Sequence, residues 1–384
     1  MPKTIESNVL NVTVADPRAT YLAHKDEIRG AIEGVLDRGR YILGDEVRQF
    51  ECEFARYIGV RECVAVASGT DALQLALRAC EIGPGDRVLT VSNTAVATVA
   101  AIHLVGATPV LADVDARTFT LDLECAENAI RHPHGQRIRA VIPVHLYGHP
   151  CAMDAMTALA ARYDLRIVED CAQAHGAAFG GRRVGSFGHL GAFSFYPTKN
   201  LGAFGDGGAV VTNDPQLATK LRLLRQYGWS ERYISIIPGM NTRLDELQAA
   251  ILRVNLRYLE HANARRRAIA SEYDEALATS AVQIPVVLPE AFHVYHQYVI
   301  RSEDRENLRI YLQRRGVGTA VLYPVPIHCQ QGYRDIIETG PGGLRETERA
   351  SREILCLPVH PGLTNAQVGL IKSLVAAWTP QTVR

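Results

Sequence analysis

Between residues 61 and 214 short apolar runs alternate with helical patterns, and that alternation limits the architecture more than any other feature. "CVAVAS" (63–68) precedes the helical "TDALQLALRACEIG", which Gly83 and Pro84 stop. Next come "RVLTV", the helical "VATVAAIHLVG", "TPVLADV", the helical "LDLECAENAI", a strand pattern in "RAVIPVHLYG" and the helical "AMDAMTALAARY". "LRIVEDC", "AFSFY" and "GAVVTND" read as three further strands. Strands with polar residues only at their ends are buried on both faces, as in a parallel sheet covered by helices. The expected fold is α/β: a large unit over 1–250 with an N-terminal arm and a mostly parallel central sheet, then a smaller α/β unit over 251–384. The smaller unit draws on "YHQYVIR", "GVGTAVLY" and the helical "NAQVGLIKSLVAAW". The helical run over 243–277 is too long to be compact without a bend and is expected to bridge the two.

A chain of 384 residues has room for about two domains. Its 41 basic side chains equal its 41 acidic ones, so no global field recruits nucleic acid or an anionic membrane. The opening "MPKTIESNVLNVTVADPRAT" lacks the apolar core of a signal peptide, and no run approaches the ~20 residues of a membrane span. A cytoplasmic location is expected. The eight cysteines form no C-x-x-C pair and mostly sit in apolar segments, as small buried hydrophobes do. No metal site is expected.

Only five lysines occur, and three of them (Lys25, Lys220 and Lys372) lie in amphipathic helical patterns where a solvated head is ordinary, with Lys3 at the terminus. Lys199 differs: "AFSFYPTKNLGAFGDGGAVVTND" sets it between an apolar strand and a glycine cluster. An amine in an apolar setting loses solvation, its pKa falls, and the neutral form becomes a nucleophile. In open α/β sheets ligands lie beyond the carboxyl ends of the strands. "ASGTDALQLAL" puts Gly69 and Thr70 at a strand-to-helix turn that suits a phosphate, although Ser, Thr and Asp there also read as a simple helix cap. "IVEDCAQAHG" ends a strand on Glu169, Asp170 and Gln173; a buried carboxylate there needs a partner, which a protonated ring nitrogen, an arginine or His175 would supply. Ser194 offers a hydroxyl near Thr70 or a backbone contact. Gly205, Gly207 and Gly208 permit either close approach of a flat ligand or a tight hairpin. A lysine amine, a carboxylate for a pyridinium nitrogen, a phosphate cradle and close-packed glycines are together what pyridoxal phosphate requires.

The chain resembles the DegT/DnrJ/EryC1/StrS family of sugar aminotransferases, within the fold-type I pyridoxal enzymes. The matching motifs span nearly all of it: "GRYILG" (39–44), "ASGTDALQLAL" (67–77), "PVHLYG" (143–148), "EDCAQAHGA" (169–177), "SFYPTKNLGAFGDGGAVVT" (194–212), "NTRLDELQAA" (241–250) and "YPVPIH" (323–328). The resemblance implies that Lys199 bonds the cofactor and Asp170 partners its ring nitrogen. Gln173 would lie near the phenolic oxygen, and Ser194, Gly69 and Thr70 would form the phosphate cradle. Asn241 would reach the phosphate of a neighbouring subunit, which implies a homodimer with shared sites. Where the family often carries an aromatic residue over the ring, this chain has Ala95. Stacking of order 1 kcal/mol would be lost there, leaving room over the cofactor.

The implied reaction moves an amino group from L-glutamate to a keto group of a nucleotide-linked deoxysugar, with Lys199 as proton carrier and ping-pong kinetics. "NTRLDELQAA" is closer to members acting at C-3 than to those acting at C-4. Trp229, Tyr323 and His328 are candidate sugar contacts or ordinary packing residues. "ARRRA" (264–268) reads as a solvated helix face before a diphosphate site. The alternatives are a C-4 aminotransferase, a pyridoxamine-dependent sugar dehydratase, against which Lys199 counts, and a non-catalytic cofactor-binding or regulatory protein. A nicotinamide enzyme lacks its G-x-G-x-x-G after the first strand.

Overall fold

The computed structural model describes residues 12–132 and 137–380. The opening segment 1–11, with Lys3, therefore lies outside the described residues. Eight strands form the main sheet: β1 (Glu62–Val66), β2 (Arg87–Val91), β3 (Thr108–Ala112), β4 (Ile138–Val141), β5 (Arg166–Asp170), β6 (Leu190–Ser194), β7 (Gly208–Thr212) and β8 (Glu338–Thr339). Their order is β1-β7-β6-β5-β4-β2-β3-β8. Only β7 runs against the others, pairing antiparallel with both β1 and β6. The remaining neighbours are parallel. The mostly parallel sheet expected from the buried runs is present, and its seven parallel strands end on one common edge.

Alternation along β6 shows how the sheet is held. Phe193 and, one residue past the strand, Phe195 point to one face, where they pack edge-on against Phe54 at 5.0 and 5.4 Å. Ser194 points to the other face, toward helix Gly69–Ala79. The aromatic cluster is completed by Phe50, also on helix Asp45–Ile58. That helix starts at Gly44, whose N–H donates to Glu246 Oε1 at 2.7 Å, while Val47 N–H donates to the same oxygen at 3.0 Å. A Cβ at Gly44 would sit 2.6 Å from Glu246 Oε2, so only glycine admits this carboxylate as the helix cap.

The run expected over 243–277 is a helix of 32 residues, Glu246–Leu277, about 48 Å long. Its first half, with Leu252 and Leu259, joins the apolar cluster under the main sheet; Ile269, Tyr273 and Leu277 join a separate cluster with Tyr298, Leu355 and Ile371. The antiparallel pair Tyr298–Arg301 and Ile354–Leu357, with helix Asn365–Ala376, forms the C-terminal part. Two expected strands are shorter than read. The strand within "RAVIPVHLYG" stops at Val141, because Pro143 lacks the N–H a central strand needs and Tyr147 takes φ +60. "GVGTAVLY" forms only single bridges, Val317 to Val12 and Ala320 to Cys356. Among the described residues no helix is long and apolar enough to cross a membrane.

Candidate active site

Lys199 follows β6 in a loop whose start is tied down by Phe195 N–H to Gly207 O and Ala203 N–H to Phe195 O, both 2.8 Å. The side chain is half-buried. Desolvation lowers its pKa to about 8, and Asp170 is the one charge that opposes the shift. Lys220 and Lys372, by contrast, pair with Glu81 and Glu272.

Asp170 ends β5 and is 6% exposed. Its Oδ2 accepts from Thr98 Oγ1 at 2.8 Å and its Oδ1 from Ala172 N–H at 3.1 Å. No described cation forms an ion pair with it, and burial raises its pKa. Neighbouring Glu169 faces the opposite side of the strand. Its oxygens accept from Gly185, Phe187 and Gly188 N–H at 2.7–2.8 Å and lie 3.1 Å from His145 Nε2. Since His145 Nδ1 accepts from Cys151 N–H, the Nε2 carries the proton and donates to Glu169. Glu169, His145 and Cys171 bring ligand-type atoms within 4.8 Å of one another, but this network fastens the 185–188 loop. His175 pairs with neither carboxylate: it is fully buried against Phe193 and Phe195, and burial pushes its pKa down to about 3.

Helix Gly69–Ala79 is capped by Ser68, whose Oγ accepts from Asp71 N–H at 3.1 Å. The N–H groups of Gly69 and Thr70 have no acceptor among the described residues. Ser194 lies against this helix start, so cap and open donors coexist: Ser68 supplies the cap, and the next two amides remain available to an anion. Gly207 and Gly208, after Lys199, are packed against protein. A Cβ at Gly208 would lie 2.3 Å from Ser68 O, and one at Gly207 would lie 3.0 Å from Leu244 Cδ1. They admit neighbouring protein atoms.

Gln173 Oε1 accepts from Tyr147 N–H at 2.7 Å, and its Nε2 donates to Tyr323 Oη at 3.1 Å. Tyr323, from the C-terminal part, is therefore at the site; burial and the Asp170 charge raise its pKa. His328 reaches the same edge just past the end of β2: its Nδ1 lies 2.8 Å from Ser92 Oγ and its Nε2 3.3 Å from Glu348. Trp229 does not join them. It sits on a hairpin, tilted against Tyr227 at 5.2 Å and edge-on to Tyr233 at 5.3 Å. Asn241, at the base of that hairpin opposite Gln226, is exposed. Ala95 is half-buried at the start of helix Val96–Leu104. One turn on, Thr98 is the partner of Asp170 that motif reading missed; only its place three residues beyond Ala95 in the ring-face segment hinted at it.

These groups fit pyridoxal phosphate: a desolvated amine, a buried acid without a cation, and two unpartnered amides beside a serine. Comparison with known proteins decides the lineage. The model of the DegT/DnrJ/EryC1/StrS aminotransferase family matches residues 23–375. The chain belongs to this family. A dTDP-3-amino-3,4,6-trideoxy-alpha-D-glucose transaminase of Streptomyces venezuelae is 47% identical over 96% of each chain. A UDP-N-acetyl-3-dehydro-alpha-D-glucosamine 3-aminotransferase of Acidithiobacillus ferrooxidans is 43% identical over 95% of this chain and 97% of its own. The crystal structure of S. venezuelae DesV with a ketimine intermediate superposes with a TM-score of 0.92, at 46% identity over 96% of this chain and 98% of that one. The DegT/DnrJ/EryC1/StrS assignment makes the chain an aminotransferase with the fold of the pyridoxal phosphate-dependent transferases.

Proposed function

We propose that this protein transfers an amino group from L-glutamate to C-3 of a nucleotide-linked keto-deoxysugar, with pyridoxal phosphate held at Lys199. One observation carries it: a half-buried lysine with a pKa near 8 shares the sheet edge with a buried acid that has no ion-pair partner. The two relatives named above, both transaminases of 3-amino or 3-keto sugars, support C-3.

The bound cofactor supplies an electrophilic carbon and an electron-withdrawing ring. Asp170, oriented by Thr98, keeps the ring-nitrogen proton in place. Gly69 and Thr70 N–H and the Ser194 hydroxyl would hold its phosphate. Gln173, fixed by Tyr147 and Tyr323, would stand near the phenolic oxygen. Lys199 Nζ, neutral in part because of its lowered pKa, takes a proton from the donor's α-carbon and delivers one to C-3 of the sugar. Tyr323 and His328 contact the sugar. Lys199 weighs against a dehydratase, and Lys199, Asp170 and Gln173 weigh against a non-catalytic regulator.

A homodimer with shared sites is part of this proposal. Leu36 (50% exposed), Tyr196 (52%) and Phe204 (36%) present apolar surface near the Lys199 loop, and Asn241 and Trp229 sit on an exposed hairpin free to meet a second copy. We also infer the two units 1–250 and 251–384. The separate apolar cluster of the C-terminal part supports them, although the long helix crosses that boundary and β8 pairs with the main sheet. The test is direct. Purified protein should be yellow, glutamate should shift the band and release 2-oxoglutarate, and a 3-keto sugar nucleotide should restore it. Preference for a 4-keto substrate would overturn the C-3 assignment.

A further inference from the structure

A cavity of about 290 Å³ lies between Lys199, the segment 14–24 and the long helix. Its size is close to the ~300 Å³ at the lower end of small-molecule sites. Two guanidinium groups, Arg265 and Arg266, line it beside Lys199. The single acid in the lining, Asp16, already caps helix Pro17–Ala23 through Ala19 N–H at 3.0 Å.

Arg266 is the unusual member. It belongs to the "ARRRA" run read from sequence as a solvated face, yet it is only 8% exposed. Its Nη1 donates to the carbonyls of Tyr295 and Val359, and its Nε has no partner. No carboxylate among the described residues pairs with it, and burial lowers its pKa to about 10. Carbonyl oxygens solvate a guanidinium without neutralising it, so a net positive charge remains in a poorly solvated place. His360, 7% exposed, also lines the cavity. Its Nε2 faces the Thr13 carbonyl at 3.2 Å and must donate to it, which leaves a bare, buried Nδ1 with no partner. The cavity therefore offers a fixed cation for the carboxylate of an α-amino acid, while His360 Nδ1 is closed off from it. Gln173, Tyr323 and His328 stand outside the lining.

We propose that this cavity is the amino-donor subsite, with Arg266 taking the donor's carboxylate, while the sugar is held by separate residues on the Tyr323 side. This rests on the aminotransferase reading above and assigns its donor a place. Donor and acceptor then depend on different side chains of one site.

Ala262 lines the cavity and is half-buried, so a charge can be added there without removing an anchoring group. Ala262→Glu and the neutral Ala262→Gln differ in that charge alone. Glutarate, a dicarboxylate without an amine, is titrated into the holoenzyme by calorimetry, and the KM values of glutamate and sugar nucleotide are measured separately. Glutarate should bind the wild type, and should bind Ala262→Glu roughly tenfold or more weakly than Ala262→Gln, as expected when a charge-assisted contact is opposed. The glutamate KM should rise in parallel while the sugar KM stays within about twofold. Equal glutarate binding by the two variants, or turnover of glutamate by a wild type that does not bind glutarate, would overturn the subsite and leave the aminotransferase reading standing. Glutarate binding without turnover of any amino donor would overturn that reading instead.

Discussion

A Cβ built on Gly69 would lie 2.6 Å from the Cβ of Ser194, closer than real side chains approach. The first turn of the helix thus rests directly on the strand that leads to Lys199, and the open amides of Gly69 and Thr70 lie beside the serine hydroxyl. Gly69→Ala should push helix and strand apart at a cost of about 1–3 kcal/mol. Pyridoxal phosphate affinity should fall by roughly tenfold or more in a spectrophotometric titration, while pyridoxal without its phosphate should be affected far less. Equal losses for both would remove the phosphate role from this turn.

Only the neutral amine of Lys199 reacts with an aldehyde. The rate at which apo-protein takes up the cofactor should therefore climb with pH and level off above about 8. Stopped-flow absorbance reads this, and a rise continuing to pH 10 would mean that burial does not depress this amine. Lys199→Ala should lose turnover by about 10²-fold or more, and borohydride should no longer fix the ring to the chain.

Burial raises the pKa of Asp170, so the folded chain holds that proton more tightly than the unfolded chain does. Ionising it in the apo-protein costs stability, and the cost appears as pH rises above the unfolded carboxylate range and grows through the folded pKa. Asp170→Asn should therefore melt no lower than wild type as apo-protein at pH 8, yet gain less on adding cofactor and turn over at least about 10²-fold more slowly. Thr98→Val, which removes the 2.8 Å hydrogen bond, should weaken the same carboxylate's hold by about 1–2 kcal/mol. Calorimetry of apo and loaded forms separates the two effects. A strongly destabilised Asp170→Asn apo-protein contradicts the assignment.

Gln173 Nε2 and Tyr323 Oη meet at 3.1 Å, joining the sheet edge to the C-terminal part. Tyr323→Phe should raise the sugar-nucleotide KM by roughly fivefold, leaving the glutamate KM near its original value. Equal changes in both would make Tyr323 a packing residue.

Shared sites are testable by mixing. Lys199→Ala and Asn241→Ala proteins should each be impaired, but subunits co-refolded from the two should regain activity, because one site of the mixed dimer pairs an intact Lys199 with an intact Asn241. Failure to regain activity in a mixture that does form dimers would confine Asn241 to its own subunit.

The α/β alternation was legible because strands buried on both faces are continuously apolar and helices over them are periodic; β1, β2, β3 and β5 follow directly from it. Lys199 was legible because its setting is unlike that of the other lysines. The span of "RAVIPVHLYG" was not, since an apolar run says nothing about Pro143 breaking the ladder or Tyr147 turning back. The glycines after Lys199 read equally as ligand approach or tight hairpin, and the fold sets Gly208 against Ser68 O and Gly207 against Leu244.

From sequence alone came the class of sheet, the one lysine in an apolar loop, and a pair of adjacent carboxylates at a strand end. Which carboxylate faces the site was settled in three dimensions: neighbours on a strand point to opposite faces, and packing sent Glu169 to the 185–188 loop and Asp170 to Thr98, 72 positions earlier in the chain. Likewise "ARRRA" has the composition of a solvated face, but the long helix passes under the C-terminal part and buries Arg266 beneath two carbonyls. Local pattern fixes what each segment prefers to form. Burial and partnership depend on which distant segments the fold brings against it, and that no local pattern contains.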